Sequence, residues 1–383
     1  MIRSLYLENL KCFETLRLEL APLTLLTGFN AAGKSTSLQT LLLLAQTLRS
    51  QRGTAELRLN GPLTNLGTPA DILNSGSGQK GLALGVGDDE LEIRWQFTLD
   101  EENRRSLKVR ELEVKGAGST RLPASLLDGI APAPSLGAVF GLAQALERTV
   151  MLSTTRQTET EVFPIPEGMV RRGDVGVMGQ YAPWWLSSHD DKKKPVDPLR
   201  RHPALQEAAT LRNQINAWMG GLFPGAEVNA FELPETNLMR LQLRSGLTAW
   251  SSPANIGFGV SYAFPVLVAG MAQGGHPLII DSPEAHLHPH GQSQIGGFLA
   301  QMAAAGSQIL VETHSDHFLN GVRLALRDGV IKPEDVAIYF FARKGGSPHV
   351  TRLSVDKHGT VSDWPEGFFD QSEKDLATLA GWT

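Results

Sequence analysis

Cysteine is almost absent: Cys12 is the only one in 383 residues, so the chain cannot close a disulfide on itself, and this usage fits a reducing, cytoplasmic setting. Its plainest role is that of a small buried hydrophobe. No apolar run approaches the roughly 20 residues that cross a bilayer as a helix, and the opening Met1-Ile2-Arg3-Ser4-Leu5 carries no signal-peptide pattern. A membrane protein is therefore not expected. Basic excess is missing too. With 35 Lys and Arg against 40 Asp and Glu, the formal charge is −5, so any contact with DNA has to come from a local patch. Internal repeats, low-complexity tracts and sustained heptads are also lacking, which excludes solenoids and long coiled-coil arms.

What the chain does have is an ordinary globular composition, 42% hydrophobic and 20% charged, and one sharp motif. Gly28-Phe29-Asn30-Ala31-Ala32-Gly33-Lys34-Ser35 fits G-x-x-x-x-G-K-[ST] and follows the apolar run Leu23-Thr24-Leu25-Leu26-Thr27. Glycines let backbone N–H groups close around phosphate, Lys34 brings a point charge to the β/γ-phosphates, and Ser35 offers a hydroxyl to Mg²⁺. A helix expected to start at Ser35 adds the positive end of its dipole. The candidate nucleotide-binding residues here are Gly28, Asn30, Ala31, Gly33, Lys34, Ser35 and Thr36.

Around this motif the chain reads as three parts. Residues 1–116 hold the phosphate loop, strands at residues 2–7 and 16–20, a leucine-rich helix at residues 37–48, and β-like runs forming an antiparallel lobe. Residues 117–250 read as an inserted, mostly helical and looped region punctuated by proline, with an amphipathic helix over residues 204–219. Residues 251–383 alternate helix and strand, which implies a parallel sheet covered by helices. The expected fold class is α/β.

Pro277-Leu278-Ile279-Ile280-Asp281 is an apolar strand ending in a carboxylate, and Asp281 is the candidate Mg²⁺ ligand beside Ser35. Ile309-Leu310-Val311-Glu312 ends similarly, placing His314 within reach of a γ-phosphate. Most of the chain lies between Lys34 and Asp281, far more than a compact GTPase or a ring-forming AAA+ module inserts there.

The order of parts resembles the ABC-type ATPase group that includes the SMC, RecF and OLD (overcoming lysogenization defect) proteins. The resemblance rests on Leu7-Glu8-Asn9-Leu10-Lys11-Cys12-Phe13, the phosphate loop, Asn255-Ile256-Gly257-Phe258-Gly259-Val260-Ser261, Asp281-Ser282-Pro283-Glu284-Ala285-His286-Leu287-His288-Pro289 and Thr313-His314-Ser315. Trp364-Pro365-Glu366-Gly367-Phe368-Phe369-Asp370-Gln371 resembles an uncharacterised domain closing a subset of prokaryotic AAA family ATPases related to OLD proteins. The resemblance implies a P-loop ABC-type ATPase head with a mixed or parallel sheet, an antiparallel β lobe and an inserted helical region. It implies that Asn255, Gly257 and Gly259 form a variant signature motif touching the γ-phosphate of ATP held by a second subunit. By the same resemblance, residues 285–289 are the D-loop and His314 the switch histidine.

Two features depart from that group. The residue after Asp281 is commonly a catalytic glutamate, and here it is Ser282, which cannot act as a general base at neutral pH. Glu284, Glu312 or His314 must then orient the water, or turnover is very slow; Glu284, His314 and Asp281 are the catalytic candidates. The signature also lacks the common Leu-Ser-Gly-Gly form. About 40 residues follow the apolar run at 336–341, too few for the OLD nuclease domain, so an effector is expected on a separate chain.

The expected function is an ATP- and Mg²⁺-binding, slowly hydrolysing ATPase that forms a homodimer or higher oligomer through its ATP sites. It regulates a separately encoded effector in anti-phage defence or DNA maintenance. The alternatives are an ATP-dependent scaffold with negligible hydrolysis and a RecF-like DNA-binding repair ATPase. For DNA, the candidate patches are Arg104-Arg105, Arg171-Arg172, Lys192-Lys193-Lys194 and Arg200-Arg201, whose bland reading is solvated loop charge. Tyr181, Trp184 and Trp185 suit base stacking or, more simply, packing. His286, His288 and His290 admit a zinc reading, against which stands a hydrogen-bonded loop.

Overall fold

The structure is a computed structural model and describes residues 1–381 other than 51, 52, 54, 159, 169, 192–194 and 363. It divides into two compact units. The first comprises Met1–Ala21, Gly28–Thr149 and Phe341–Thr351, and the second Pro22–Thr27, Val150–Phe340 and Arg352–Thr383.

In the first unit β1 (Ser4–Leu10) and β2 (Phe13–Glu19) form a tight hairpin. Asn9 and Lys11 take positive φ at its turn. Strand β3 (Leu23–Gly28), which belongs to the second unit up to Thr27, leads in the chain to the phosphate loop, and α1 (Lys34–Leu48) follows it, one residue earlier than expected. A one-turn helix α2 (Pro69–Ile72) precedes β4 (Gly81–Gly87), β5 (Glu92–Leu99), β6 (Leu107–Lys115) and β7 (Ser119–Pro123). Helix α3 (Ala138–Glu147) ends the run. The strands pair antiparallel in the order β2-β1-β4-β5-β6-β7. Alternating residues such as Leu5, Leu7, Ile93 and Trp95 are fully buried, as expected for a sheet with one face in a core. The leucine-rich α1 covers that core with Leu41, Leu43 and Leu44.

The second unit starts with β8 (Val150–Leu152) and β9 (Val162–Pro164), then α4 (Ala182–Asp191), α5 (Leu211–Leu222), β10 (Ala226–Glu232) and β11 (Leu238–Ser245). It continues through α6 (Phe258–Ala272), β12 (Pro277–Asp281), α7 (Pro289–Ala304), β13 (Gln308–Glu312) and α8 (Asp316–Arg327). Strands β14 (Val336–Lys344) and β15 (Ser347–Leu353) and helix α9 (Gln371–Leu379) close the chain's order. The main sheet runs β15-β14-β3-β13-β12-β8. Its centre is parallel, with Leu26 opposite Glu312, Glu312 opposite Asp281, and Ile280 opposite Leu152. The near-continuous apolar strands Leu278-Ile279-Ile280 and Ile309-Leu310-Val311 are buried throughout, which is how a parallel sheet covered on both faces reads.

Residues 117–250 hold helices and loops, and also strands that their weak patterning did not announce. β10, β11 and β9 make a small antiparallel sheet, and β8 joins the edge of the parallel sheet. The amphipathic helix expected from residue 204 begins instead at Leu211. Thr210 caps it by accepting from the Asn213 N–H at 3.3 Å. The Gln214 amide donates to the carbonyls of Leu205 and Ala208, each at 2.7 Å, holding the preceding residues in turns that compete with helix.

Candidate functional site

The phosphate loop takes its shape from backbone conformations that only glycine adopts without cost. Gly28 has φ 123° and Gly33 φ 107°. A Cβ on Gly28 would lie 2.1 Å from the carbonyl oxygen of Phe341, and one on Gly33 would lie 2.5 Å from the Phe13 ring. The Phe29 N–H donates to the same Phe341 oxygen at 3.0 Å, and Arg343 donates to the Ala31 carbonyl at 2.9 Å. Lys34 is only 3% exposed, and its ammonium donates back to the carbonyls of Gly28 (3.1 Å) and Phe29 (2.9 Å). Asn30, Ala31 and Ser35 are exposed, while Thr36 is buried. Helix α1 has no acidic residue in its first turn. This donor set fits a polyphosphate with Mg²⁺: a curled backbone that excludes side chains, one ammonium, one hydroxyl and a helix N-terminus free of competing carboxylate. Cys12 is half-buried rather than buried, with its sulfur beside Gly33, and partial burial pushes its thiol pKa up.

In the second unit, β3, β13 and β12 all finish at one edge of the parallel sheet. Asp281 is the last residue of β12, and its carboxylate accepts the Ser282 hydroxyl at 2.9 Å. Ser282 sits at φ 48°, with its N–H donating to the Glu312 carbonyl at 2.8 Å. The chain then turns tightly, Ala285 N–H to Ser282 O and Leu287 N–H to Glu284 O, both 3.1 Å. This turn carries Glu284 inward, where it is 7% exposed. One carboxylate oxygen accepts the Thr313 hydroxyl and the His314 N–H, each at 2.8 Å; the other, Oε2, is buried with no partner. Burial pushes the Glu284 carboxyl above the ordinary range, and the hydrogen bonds from His314 and Thr313 oppose that rise. His314 thus contributes its backbone to Glu284 while its residue stays exposed. Glu312 is buried at the end of β13.

One residue of this corner is invisible to motif reading. Arg156 is 4% exposed, and its guanidinium donates to the carbonyls of Asp281 and Ser282 (3.0 Å each) and Tyr262 (3.3 Å). Burial pulls its pKa down to about 10 despite the nearby Glu284, which still leaves it charged at neutral pH. Its sequence neighbourhood, Ser153-Thr154-Thr155-Arg156-Gln157, carries no pattern to find it by.

The signature-like residues divide in role. Asn255 is exposed, with its amide to the Ser252 hydroxyl at 3.3 Å. Gly257 is the exposed N-cap of α6. Gly259 is instead packed: a Cβ there would lie 2.8 Å from the carbonyl oxygen of His286. Asn255, Ile256 and Gly257 border a cavity of about 550 Å³ that Arg244 also lines. The His286 ring stacks near Tyr262 and Phe258, at 4.3 and 5.9 Å between centroids. His288 caps α7. Among the described residues no group of three His, Cys, Asp or Glu is arranged to hold a metal.

Of the basic clusters, one member, Arg200, is spent inside the protein, while Arg172 is exposed and Arg171 and Arg201 are half-buried. Arg200 is 7% exposed and donates to Gly270 O, Ser307 Oγ and Ala305 O at 2.8–3.2 Å; Arg201 donates to Val196 O and Gln206 O. Arg172 donates to Ala272 O at 3.3 Å. Arg104 and Arg105 are exposed, and the three lysines at 192–194 lie outside the described residues. Trp185 is buried, its indole N–H to Asp174 O at 2.8 Å, and packs edge-on against Trp184. Trp185 thus serves packing, while Trp184 and Tyr181 are half-buried.

Solved Smc head structures share this fold. The Smc head bound to the C-winged helix domain of ScpA superposes with a TM-score of 0.54 at 14% identity, covering 93% of this chain and 98% of that one. The Smc head with an extended coiled coil from Pyrococcus furiosus, bound to the C-terminal domain of ScpA, gives 0.53 at 13% identity and 99% of both chains. The fold is therefore that of an Smc head domain. Residues 192–320 match the family model "AAA domain, putative AbiEii toxin, Type IV TA system". Residues 331–379, which include the Trp364–Gln371 segment, match "Protein of unknown function (DUF3696)". No curated protein matches the chain significantly. Among the described residues no helix is long and apolar enough to cross a membrane.

Proposed function

We propose that the chain is an ATP-binding, slowly hydrolysing ATPase that pairs with a second copy around ATP and regulates a separate effector protein. The observation that carries this reading is the parallel register of β3, β13 and β12, which ends the strands bearing Asp281 and Glu312 at the edge from which the phosphate loop departs. Gly28 to Thr36 bind the triphosphate through backbone N–H groups and the α1 terminus. Lys34 trades its two loop carbonyls for phosphate oxygens. Ser35 and Asp281 are the residues that would hold Mg²⁺, and the ion would supply positive charge to the phosphoryl oxygens. Glu284 is the general base, its buried Oε2 taking the proton of the attacking water, and its bond to the His314 N–H links that base to the residue facing the γ-phosphate.

Asn255 and Gly257 touch the γ-phosphate of the ATP on the second copy, and Gly259 positions them by packing on His286. The nucleotide then forms part of the interface, so hydrolysis weakens the dimer. Residues 117–250 supply the effector contact. An anti-phage or DNA-maintenance setting is supported by the AbiEii-type description of the matching AAA model. A second reading, the scaffold with negligible turnover, is favoured by Ser282, whose hydroxyl bonds Asp281 where a glutamate would serve as base. ATP-dependent dimerisation by light scattering, with Lys34→Ala as control, tests the shared part of both readings. A dimer that forms equally well in the Lys34 variant would refute it.

A further inference from the structure

Arg156 owes its place to topology. β8 is the edge strand paired parallel to β12, so its chain leaves the sheet at the edge where Asp281 ends, and Arg156 follows four residues later. That segment is fixed by Ser153 N–H to Val177 O at 2.8 Å and Gln157 N–H to Met178 O at 2.9 Å. From this anchored base the guanidinium spans three carbonyls: Tyr262 on α6, Asp281 at the strand end and Ser282 in the turn. Its plane also faces the Tyr262 ring, 5.4 Å from the centroid. Burying such a charge is costly, and an apolar side chain of similar volume often packs at least as well. Arg200 is equally buried, but it fastens Gly270, Ser307 and Ala305, none of which belongs to a motif. Arg156 fastens three that border or belong to one. Its Nε and the Oε2 of Glu284 are both buried and unpartnered, so the corner holds two opposite charges that its own hydrogen bonds do not fully satisfy.

We propose that Arg156 is a positioning residue that fastens α6, the helix opening at Gly257, to the Asp281–Glu284 turn, so that the signature-like motif and the hydrolytic carboxylate keep one geometry. The two carbonyls it holds on Asp281 and Ser282 orient the peptides on either side of Ser282, whose φ of 48° is not one a serine takes without support. The proposal rests on the ATPase reading of the site, and it makes a separate physical claim about the two segments.

The test uses the full chain with Arg156→Met and Arg156→Lys, read three ways: ATP turnover, affinity for a fluorescent ATP analogue, and hydrogen exchange at residues 258–264 and 281–287. In Arg156→Met, turnover falls about tenfold or more while nucleotide affinity stays within about twofold, the split expected for a group acting after binding. Exchange protection drops in both segments together and holds in β1, β4 and β5. Arg156→Lys keeps the charge without the planar fork and lies between; it carries the test should the methionine variant fail to fold. Unchanged exchange in 258–264 and 281–287 overturns the proposal, as does loss of nucleotide affinity in step with turnover. Joint loss of protection, with wild-type turnover no higher than that of Lys34→Ala, upholds the fastening and overturns the hydrolysis reading instead.

Discussion

The phosphate loop draws its geometry from consecutive residues, Gly28 to Ser35, whereas the corner around Asp281 is assembled from Arg156, Tyr262, Glu284, Thr313 and His314. Backbone conformation governs the first: positive φ at Gly28 and Gly33 leaves no room for side chains. Side-chain hydrogen bonding and buried charge govern the second. A site of the first kind fails when a methyl group is added. One of the second kind tolerates local change but responds to any partner, however distant in sequence.

Gly28→Ala is the sharpest way to break the first region. A Cβ at 2.1 Å from Phe341 O and a φ of 123° should destabilise the fold by about 3 kcal/mol or more, measured by urea unfolding; a loss below about 1 kcal/mol would show that the loop relaxes freely. Lys34→Ala leaves the backbone alone, so it should keep the melting temperature close to wild type and lower affinity for a fluorescent ATP analogue about 100-fold.

The second region should respond in the opposite sense to loss of charge. Glu284 has a folded-state pKa above its unfolded value, so its stabilising contribution is complete below the unfolded value and is lost as pH rises through the folded one. At neutral pH its ionised form is therefore a cost, and Glu284→Gln should unfold later than wild type at pH 8, by about 1 kcal/mol. That advantage should shrink as pH falls toward 5; an advantage growing with acidity would reverse the assigned cause. The smallest effect belongs to Ser282→Gly, which relieves the positive φ and should gain about 0.5 kcal/mol.

These contrasts also explain what could be read in advance. The contiguous loop was legible because its chemistry requires fixed spacing, and the apolar strands ending at Asp281 and Glu312 were legible because buried parallel strands leave a continuous apolar signature. The family-level pattern at Trp364–Gln371 was legible too. Arg156 was not, since its partners lie more than 100 positions away and a single arginine in a Thr-rich loop has no period. The start of α5 was misplaced because Leu205 and Ala209 mimic helical spacing, while Gln214 ties that stretch into turns. Arg200 looked like surface charge because a dipeptide of arginines does not reveal which one is buried.

Glu284 is proposed to carry the chemistry that Ser282 cannot. Steady-state ATP turnover of Glu284→Gln, against wild type and Lys34→Ala, tests it directly. A fall of about 100-fold is expected, with nucleotide affinity retained. Turnover preserved in Glu284→Gln and lost only in Lys34→Ala would contradict it.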